Sequence, residues 1–191
     1  MKNLEKFEWL YVIKDLNRTG KYNKKSFSLK GFQSRDKLKK LILKNVKINQ
    51  ISELKHFKRL EELRLYNNKI KKIDVSKNAQ LKVINIEKNP ILECNNDKNY
   101  QLREFTLIDT NIVFFRMVNR DNIKDVTLTT NNRLKKVQVE NCPDMTALWV
   151  SGDRLQEFQI VNTPNIYSIW LGAPKTVPKL IYPMLYKLDN L

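Results

Sequence analysis

The sequence predicts a strand-rich α/β solenoid, a chain wound into stacked coils of nearly equal length. One spacing of apolar residues, an apolar residue followed by others three and five positions later, returns seven times at intervals of 22, 21, 21, 21, 22 and 21 residues. Within each copy the last two apolar residues flank one outward position, as in a short strand. A fixed period of this length indicates one coil per copy, stacked on its neighbours. The copies begin at Leu38, Leu60, Leu81, Leu102, Ile123, Met145 and Ile166.

The clearest copy, Leu60–Ile70, carries Asn68 three residues after Leu65. This LxxLxLxxNxI pattern resembles the leucine-rich repeat family. The resemblance implies a right-handed solenoid with a parallel sheet on its concave face. The second half of this coil alternates again at Ile73–Val75, and later coils repeat it. In that respect the chain is similar to the bacterial repeats of 21–22 residues, and the composition rich in Lys, Asn and Ile also favours a bacterial source.

The asparagine of this pattern has a predicted structural role at the end of each strand. Its carboxamide can bond backbone groups and so connect adjacent coils. Asn89 and Asn131 hold the position of Asn68 in two other coils. We therefore expect an irregular ladder, because the remaining coils place Val46, Thr110, Asp153 and Pro174 there.

Terminal segments are expected to cover the two ends of the solenoid, since each end would otherwise expose apolar cross-section. Residues 1–37 are predicted to form an N-terminal cap, with a helix over about residues 3–16 and an edge strand near Lys25–Leu29. Residues 38–172 form the seven repeats. Residues 173–191, which contain Pro174, Pro178 and Pro183, are predicted to form a C-terminal cap.

The net charge of +16 is concentrated at one end of the chain. Residues 1–72 hold 21 of the 36 Lys and Arg residues but only 7 of the 20 Asp and Glu residues. Such asymmetry suggests a surface for nucleic acid or an anionic membrane, or for an acidic protein. A plain compositional bias of a solvated surface explains it equally, and the sequence leaves these alternatives open.

The compartment is expected to be cytoplasmic. The N-terminal residues lack the sustained apolar stretch of a secretory leader, and no segment approaches the length of a membrane span. Cys94 and Cys142 fall two coils apart, so they should lie roughly 10 Å from each other. This is beyond the reach of a disulfide, and both thiols are expected to be reduced and structural.

The outward positions of the predicted sheet form columns, one residue from each coil. The central column contains Trp149 and Trp170 on successive strands, with the small residues Ala147 and Ser168 beside them. Exposed tryptophans reduce solubility unless a partner covers them, and tryptophan is enriched at interface hot spots. The predicted partner-binding residues are Trp149, Trp170, Thr127, Asp125, Glu104, Arg64, Tyr66 and Lys44. The alternatives are that the C-terminal cap covers the two rings, that the rings only stack on each other, or that they form a platform for a carbohydrate or small ligand.

The sequence predicts no catalysis. The chain has one histidine, His56, in a different coil from either cysteine, which rules out most arrangements of a nucleophile with a histidine base. It shows no metal-ligand cluster and no glycine-rich phosphate loop, so no metal, cofactor or small-molecule substrate is expected. The leading hypothesis is a non-catalytic module that binds a protein on its sheet face. The alternative is an electrostatic adaptor that docks its basic N-terminal third on nucleic acid, a ribosome or an anionic membrane.

Overall fold

The computed structural model describes residues 38–172 and 179–181. These residues form thirteen short strands and one 3-10 helix, Ser52–His56. In chain order the strands are β1 Lys40–Lys44, β2 Glu62–Tyr66, β3 Lys72–Asp74, β4 Val83–Glu87, β5 Glu93–Asn95, β6 Glu104–Ile108, β7 Phe114–Val118, β8 Asp125–Thr129, β9 Lys136–Glu140, β10 Ala147–Val150, β11 Glu157–Val161, β12 Ser168–Leu171 and β13 Lys179–Ile181.

The strands wind into a parallel β-solenoid. One sheet, here the first sheet, has seven strands in the order β1-β2-β4-β6-β8-β10-β12. Between its first and last strands the chain therefore makes six circuits. The return segments form two smaller sheets, β3-β5 and β7-β9-β11-β13. Within the described residues, a single 3-10 helix is the whole helical content, so the structure supports a strand-rich solenoid and does not support an α/β composition there.

The repeat spacing sets the register of the first sheet. Leu63 of β2 pairs with Leu41 of β1 and with Ile84 of β4, 22 and 21 residues away. Because side chains alternate along a strand, this register stacks every inward residue on its equivalents in adjacent coils. The resulting core is continuous from Leu38 to Ile160 and includes Phe57, Phe105 and Phe158 as its largest fully buried side chains.

The corners between strands share one backbone conformation. The residue after each of eight strands has a φ between 49° and 60°, in the left-handed region where Asn is favoured among non-glycine residues. Side-chain bonds connect several of these corners along the solenoid, such as Asn141 Nδ2 to Asn119 Oδ1 at 2.8 Å and Asn162 Nδ2 to Asn141 Oδ1 at 2.9 Å. The corner residues are Asn45, Asn67, Lys88, Asp109, Asn119, Thr130, Asn141 and Asn162.

The predicted asparagine ladder is present. Asn68 donates to the carbonyl of Leu43 at 3.0 Å and accepts from the backbone N–H of Val46 at 3.1 Å. Asn131 bonds Leu107 and Thr110 of the preceding coil in the same way. Asn89 donates to the carbonyl of Leu65 but accepts from the N–H of Ile70. These bonds satisfy buried backbone groups that the corners would otherwise leave without partners.

One assignment in this ladder was wrong. Gly152, not Asp153, occupies the place of Asn131, since the Gly152 carbonyl accepts from the N–H of Leu155 as that of Asn131 accepts from Leu134. The corner after β10 has lost one residue relative to the corner after β8, and it has no residue with a positive φ. Counting residues from the strand alone therefore placed the ladder position one residue too late, at Asp153 instead of Gly152.

A second ladder, not predicted as such, runs along the other side of the solenoid. Asn78 and Asn99, both fully buried, each donate two bonds to carbonyls of the preceding coil at 2.7 to 3.1 Å. Arg120, Cys142 and Thr163 follow at intervals of 21, 22 and 21 residues. Cys142 thus holds the turn position equivalent to Asn78, and Cys94 packs against the core.

The predicted caps fall mainly outside the described residues. This applies to the whole N-terminal cap, residues 1–37, and to Pro174 and most of the C-terminal segment. Lys179–Ile181 are described, and they form β13, which pairs with β11 and extends the sheet of the return segments.

Candidate functional site

The outward columns of the first sheet lie where the sequence predicted them. Trp149 pairs in register with Thr127 on one side and with Trp170 on the other. Asp125 pairs with Glu104 and with Ala147. Residues that are 21 or 22 positions apart therefore become neighbours on one continuous face, which we call the first-sheet face.

The two tryptophans form an exposed pair, which we call the aromatic pair. Their ring centroids are 6.2 Å apart, with the ring planes inclined by 42°. The side chains remain 42% and 45% exposed. The rings are thus in contact but tilted rather than stacked, and each keeps nearly half of its surface open to a partner.

Small residues beside the aromatic pair let Trp170 lie close to the backbone. A Cβ at Gly172 would stand 2.8 Å from Cη2 of Trp170 and 2.6 Å from Cβ of Ser151. Only glycine leaves that space free. Tyr167, which is 83% exposed, immediately precedes β12 and adds a third aromatic side chain to this end of the sheet.

Two carboxylates stand side by side next to the aromatic pair. Glu104 and Asp125 are Cα partners on β6 and β8, and both are exposed. Asp125 contacts the hydroxyl of Thr146 at 3.5 Å, but the ion pairs formed among the described residues include neither carboxylate. Like charges at this spacing repel each other, so this part of the face favours a cationic neighbour.

The other predicted binding residues form a separate cluster at the N-terminal end of the face. Arg64 pairs with the carboxylate of Glu62, which also lies 3.1 Å from Nζ of Lys40, and Arg64 Nη1 lies 3.4 Å from the hydroxyl of Tyr66. Burial alone would raise the pKa of Glu62, but the bonds from Arg64 and Lys40 hold it below its usual value. The Tyr66 and Glu62 bonds raise the pKa of Arg64.

The structure therefore divides the predicted site in two. Thr127, Asp125 and Glu104 adjoin the aromatic pair, whereas Lys44, Arg64 and Tyr66 belong to β1 and β2. Four strand spacings separate β2 from β10, which is about 19 Å. One ligand reaches both clusters only if it spans most of the sheet, as a protein surface does.

Two further surface features escaped the sequence analysis. A cleft opens between β5 and β7, and the exposed side chains Leu92, Tyr100, Val113 and Phe114 line it. The unbroken apolar run Val113-Phe114-Phe115 was the available signal, since strict alternation would have placed a polar residue at 114. The second feature, here called the lysine cleft, has a volume of about 880 Å³ and is lined by lysines that include Lys55, Lys69, Lys71 and Lys77.

The two cysteines of the chain are free thiols. Neither cysteine is in a disulfide. Burial, with a smaller effect of Asp74, raises the pKa of Cys94 to about 12, and burial raises that of Cys142 to about 11, so both are thiols at neutral pH. Over residues 38–172 and 179–181, no group of three or more His, Cys, Asp or Glu side chains is placed to hold a metal ion.

Comparisons with known proteins leave the site as the guide to function. Among the residues that the structure describes, no helix has the length and apolar character needed to cross a membrane. No protein-family model matches the chain, and no curated protein is significantly similar to it.

Proposed function

We propose that this protein is a non-catalytic interaction module that binds a protein partner on its first-sheet face, with the aromatic pair as the anchor. The observation that carries the proposal is the pairing of Trp149 with Trp170 in register, both nearly half exposed, on a largely polar sheet face. An exposed aromatic cluster of this kind has an unfavourable contact with water that a partner removes.

The energetics favour a protein over a small ligand. A tryptophan at the centre of an interface contributes about 2 kcal/mol or more when truncated to alanine. The carboxylates of Glu104 and Asp125 and the cations of Arg64 and Lys44 then lie at increasing distance along the same face. This arrangement suits an extended surface in which the indoles supply affinity and the charges supply orientation and association rate.

The finer description of the fold is also part of this proposal. We place the solenoid in the leucine-rich repeat class, right-handed, with the first-sheet face concave and an N-terminal cap preceding the repeats. The buried carboxamide of Asn68, bonded to Leu43 and Val46 in the preceding coil, supports this class. A cytoplasmic location in a bacterium is the setting that we propose, and the free, poorly ionised thiols agree with a reducing compartment.

A second candidate function rests on the lysine cleft. Lys72 in this region is paired with Glu93 at 2.8 Å, but Lys55, Lys69, Lys71 and Lys77 form none of the ion pairs found among the described residues. Asp74 also lines the cleft, and its pKa is lowered by its bonds to Ser76 and by the nearby Lys77. The excess of ammonium groups around this concave surface favours an anionic polymer or an anionic membrane. Such binding would weaken steeply as salt rises from about 50 to 200 mM.

The deciding experiment is affinity capture from a native lysate, with and without nuclease, at low and at moderate salt. Wild type is compared with Trp149→Ala/Trp170→Ala and with Gly172→Ala, which keeps both indoles but displaces Trp170 through its Cβ. Phe114→Ala is the matched control, because it removes an equally exposed aromatic side chain from a different surface.

A discrete protein that survives nuclease and salt, is lost with the double variant and is reduced with Gly172→Ala supports the interaction module. Capture that the double variant leaves unchanged contradicts it. Material that disappears with nuclease or salt, and with substitution of Lys69 and Lys71 by glutamine, assigns the function to the lysine cleft instead.

A further inference from the structure

The sheet of the return segments is interrupted between β5 and β7. On the opposite side of the same two coils, β4 and β6 pair over their full length of five residues. No pairing joins β5 to β7, although β5 pairs with β3 and β7 with β9. The coils therefore diverge on one side only and leave the cleft, of about 840 Å³, whose lining includes the core residues Phe105 and Phe115.

The two ends of this opening are held together. At one end the N–H of Asn111 donates to the carbonyl of Ile91 at 2.9 Å. At the other end Nη2 of Arg120 donates to the carbonyl of Asn96 at 3.2 Å, in the place where Asn99 bonds Val75 one coil earlier. The longer arginine side chain spans the wider separation. Insertion of another strand would need about 9.6 Å between β5 and β7, and these two bonds prevent it.

Apolar side chains are concentrated at the rim of this cleft. Leu92, Tyr100, Val113 and Phe114 are four of the seven large apolar residues that are exposed in the described part of the chain. Their clustering at one opening, and not their individual exposure, indicates a binding surface. The cleft volume falls within the range of about 300–1,000 Å³ that is typical of small-molecule sites.

Arg120 gives the cleft a charged end. Its side chain lines the cleft and is only 7% exposed, yet it is in none of the ion pairs of the described residues. Nη1 donates to the carbonyls of Val118 and Asn119, but the Nε–H has no acceptor, and the guanidinium lies 5.0 Å from the ring centroid of Tyr100. A buried cation without a carboxylate is costly. Arg116 and Lys98 also line the cleft, together with two carboxylates, Asp97 and Glu93, of which Glu93 is paired with Lys72.

From this geometry we propose that the cleft between β5 and β7 binds an elongated amphipathic anion, a long-chain carboxylate. The hydrocarbon chain lies against Leu92, Val113 and Phe114, and the carboxylate pairs with the guanidinium of Arg120. Burial of the chain removes the exposed apolar rim from water, and the carboxylate supplies the missing counter-ion. This site is on the opposite side of the coils from the aromatic pair and does not depend on the proposed protein partner.

Isothermal titration calorimetry of the full-length chain tests this proposal, with laurate below its micellar concentration as the probe and dodecanol as its uncharged equivalent. We expect saturable binding of laurate at least about tenfold tighter than that of dodecanol, since only laurate pairs with Arg120. Leu92→Glu should weaken laurate binding by a similar factor. Tyr167→Glu, which adds the same charge at an exposed site outside the cleft, should not.

Arg120→Gln should bring the affinity for laurate down to that for dodecanol. Because Arg120 also bonds Asn96, circular dichroism must first show that this variant is folded, and the comparison of Leu92→Glu with Tyr167→Glu decides if it is not. Absence of saturable laurate binding to the wild type overturns the proposal. So does equal binding of dodecanol, or equal laurate affinity in the two glutamate variants.

Discussion

Replacement of Asn131 by alanine should destabilise the protein more than any single exposed substitution. Asn131 is fully buried, and its Nδ2 donates to the carbonyl of Leu107 at 2.8 Å. Its Oδ1 accepts from both the N–H and the hydroxyl of Thr110, at 2.9 and 2.7 Å. Alanine removes all three bonds. Water cannot replace them, because Thr110 is also buried.

The magnitude follows from the groups left without partners. A buried polar group that loses its partner costs about 1–3 kcal/mol. The hydroxyl of Thr110 can rotate toward another acceptor, so the main loss comes from the Thr110 N–H and the Leu107 carbonyl. We expect a decrease of about 3 kcal/mol in the free energy of unfolding, which leaves a folded protein if its total stability lies in the ordinary range of about 5–15 kcal/mol.

Urea denaturation followed by far-ultraviolet circular dichroism measures this decrease, with the slope of the transition as a check that the unfolded state is unchanged. Asn132→Ala is the matched control, since it removes the same side chain from the next residue, which is exposed. It should cost less than about 0.5 kcal/mol. A loss below about 1 kcal/mol for Asn131→Ala would refute the view that the ladder satisfies otherwise orphaned backbone groups.

Three other predictions concern close packing, acid sensitivity and thiol reactivity. Gly152→Ala should lower the free energy of unfolding by about 1–3 kcal/mol in the same urea assay, because its Cβ would stand 2.5 Å from the backbone oxygen of Asn131. Glu62→Gln should lose less stability than wild type between about pH 6 and pH 3, measured by urea midpoints. The pKa of Glu62 in the folded state lies below its usual value. The carboxylate therefore stabilises the folded protein above its ordinary pKa, and this stabilisation is lost as the pH falls through the folded-state pKa. Cys94 and Cys142, with pKa values raised to about 12 and about 11, should react with a thiol reagent at about pH 8 at least a hundredfold more slowly than free cysteine, until urea unfolds the chain.

Each of these has a control and a contrary result. For Gly152, substitution of exposed Gln156 by alanine should be nearly neutral, and equal effects would contradict the steric argument. For Glu62, the control is Glu104→Gln, which changes a carboxylate outside the ion pairs of the described residues. If Glu62→Gln loses as much stability on acidification as wild type does, the Glu62 carboxylate does not contribute to acid sensitivity. Rapid labelling of either thiol in the native protein would contradict its raised pKa.

Much of the face that carries the candidate site could be predicted from spacing. A period of 21 or 22 residues, combined with alternation inside each strand, forces Trp149 and Trp170 onto adjacent strands of one column, and the structure confirms the pairing. The burial of Asn68, Asn89 and Asn131 was predictable for the same reason, because a polar residue that recurs in phase with the core needs a recurring partner. The tilt of the two indoles was not predictable, since it depends on the space above Gly172.

The assignments that failed are those where the chain changes length between strands. Asp153 was placed in the ladder by counting from β10, but the corner after that strand is one residue shorter than the corner after β8. A pattern of apolar residues fixes the positions of strands and says little about the residues between them. The same pattern does not show that β5 and β7, which follow each other at the repeat spacing, are left unpaired.

The sequence by itself determined the coil length, the strands, their order in the first sheet and the residues that face solvent there, because each of these follows from periodicity and from the burial of apolar side chains. The tertiary structure decided where the solenoid opens. The cleft between β5 and β7 adjoins the contact of Phe105 with Phe115, whose ring centroids are 5.5 Å apart across one coil. Such a contact depends on side-chain volumes that meet from two strands across the core, and a repeat spacing contains no record of those volumes.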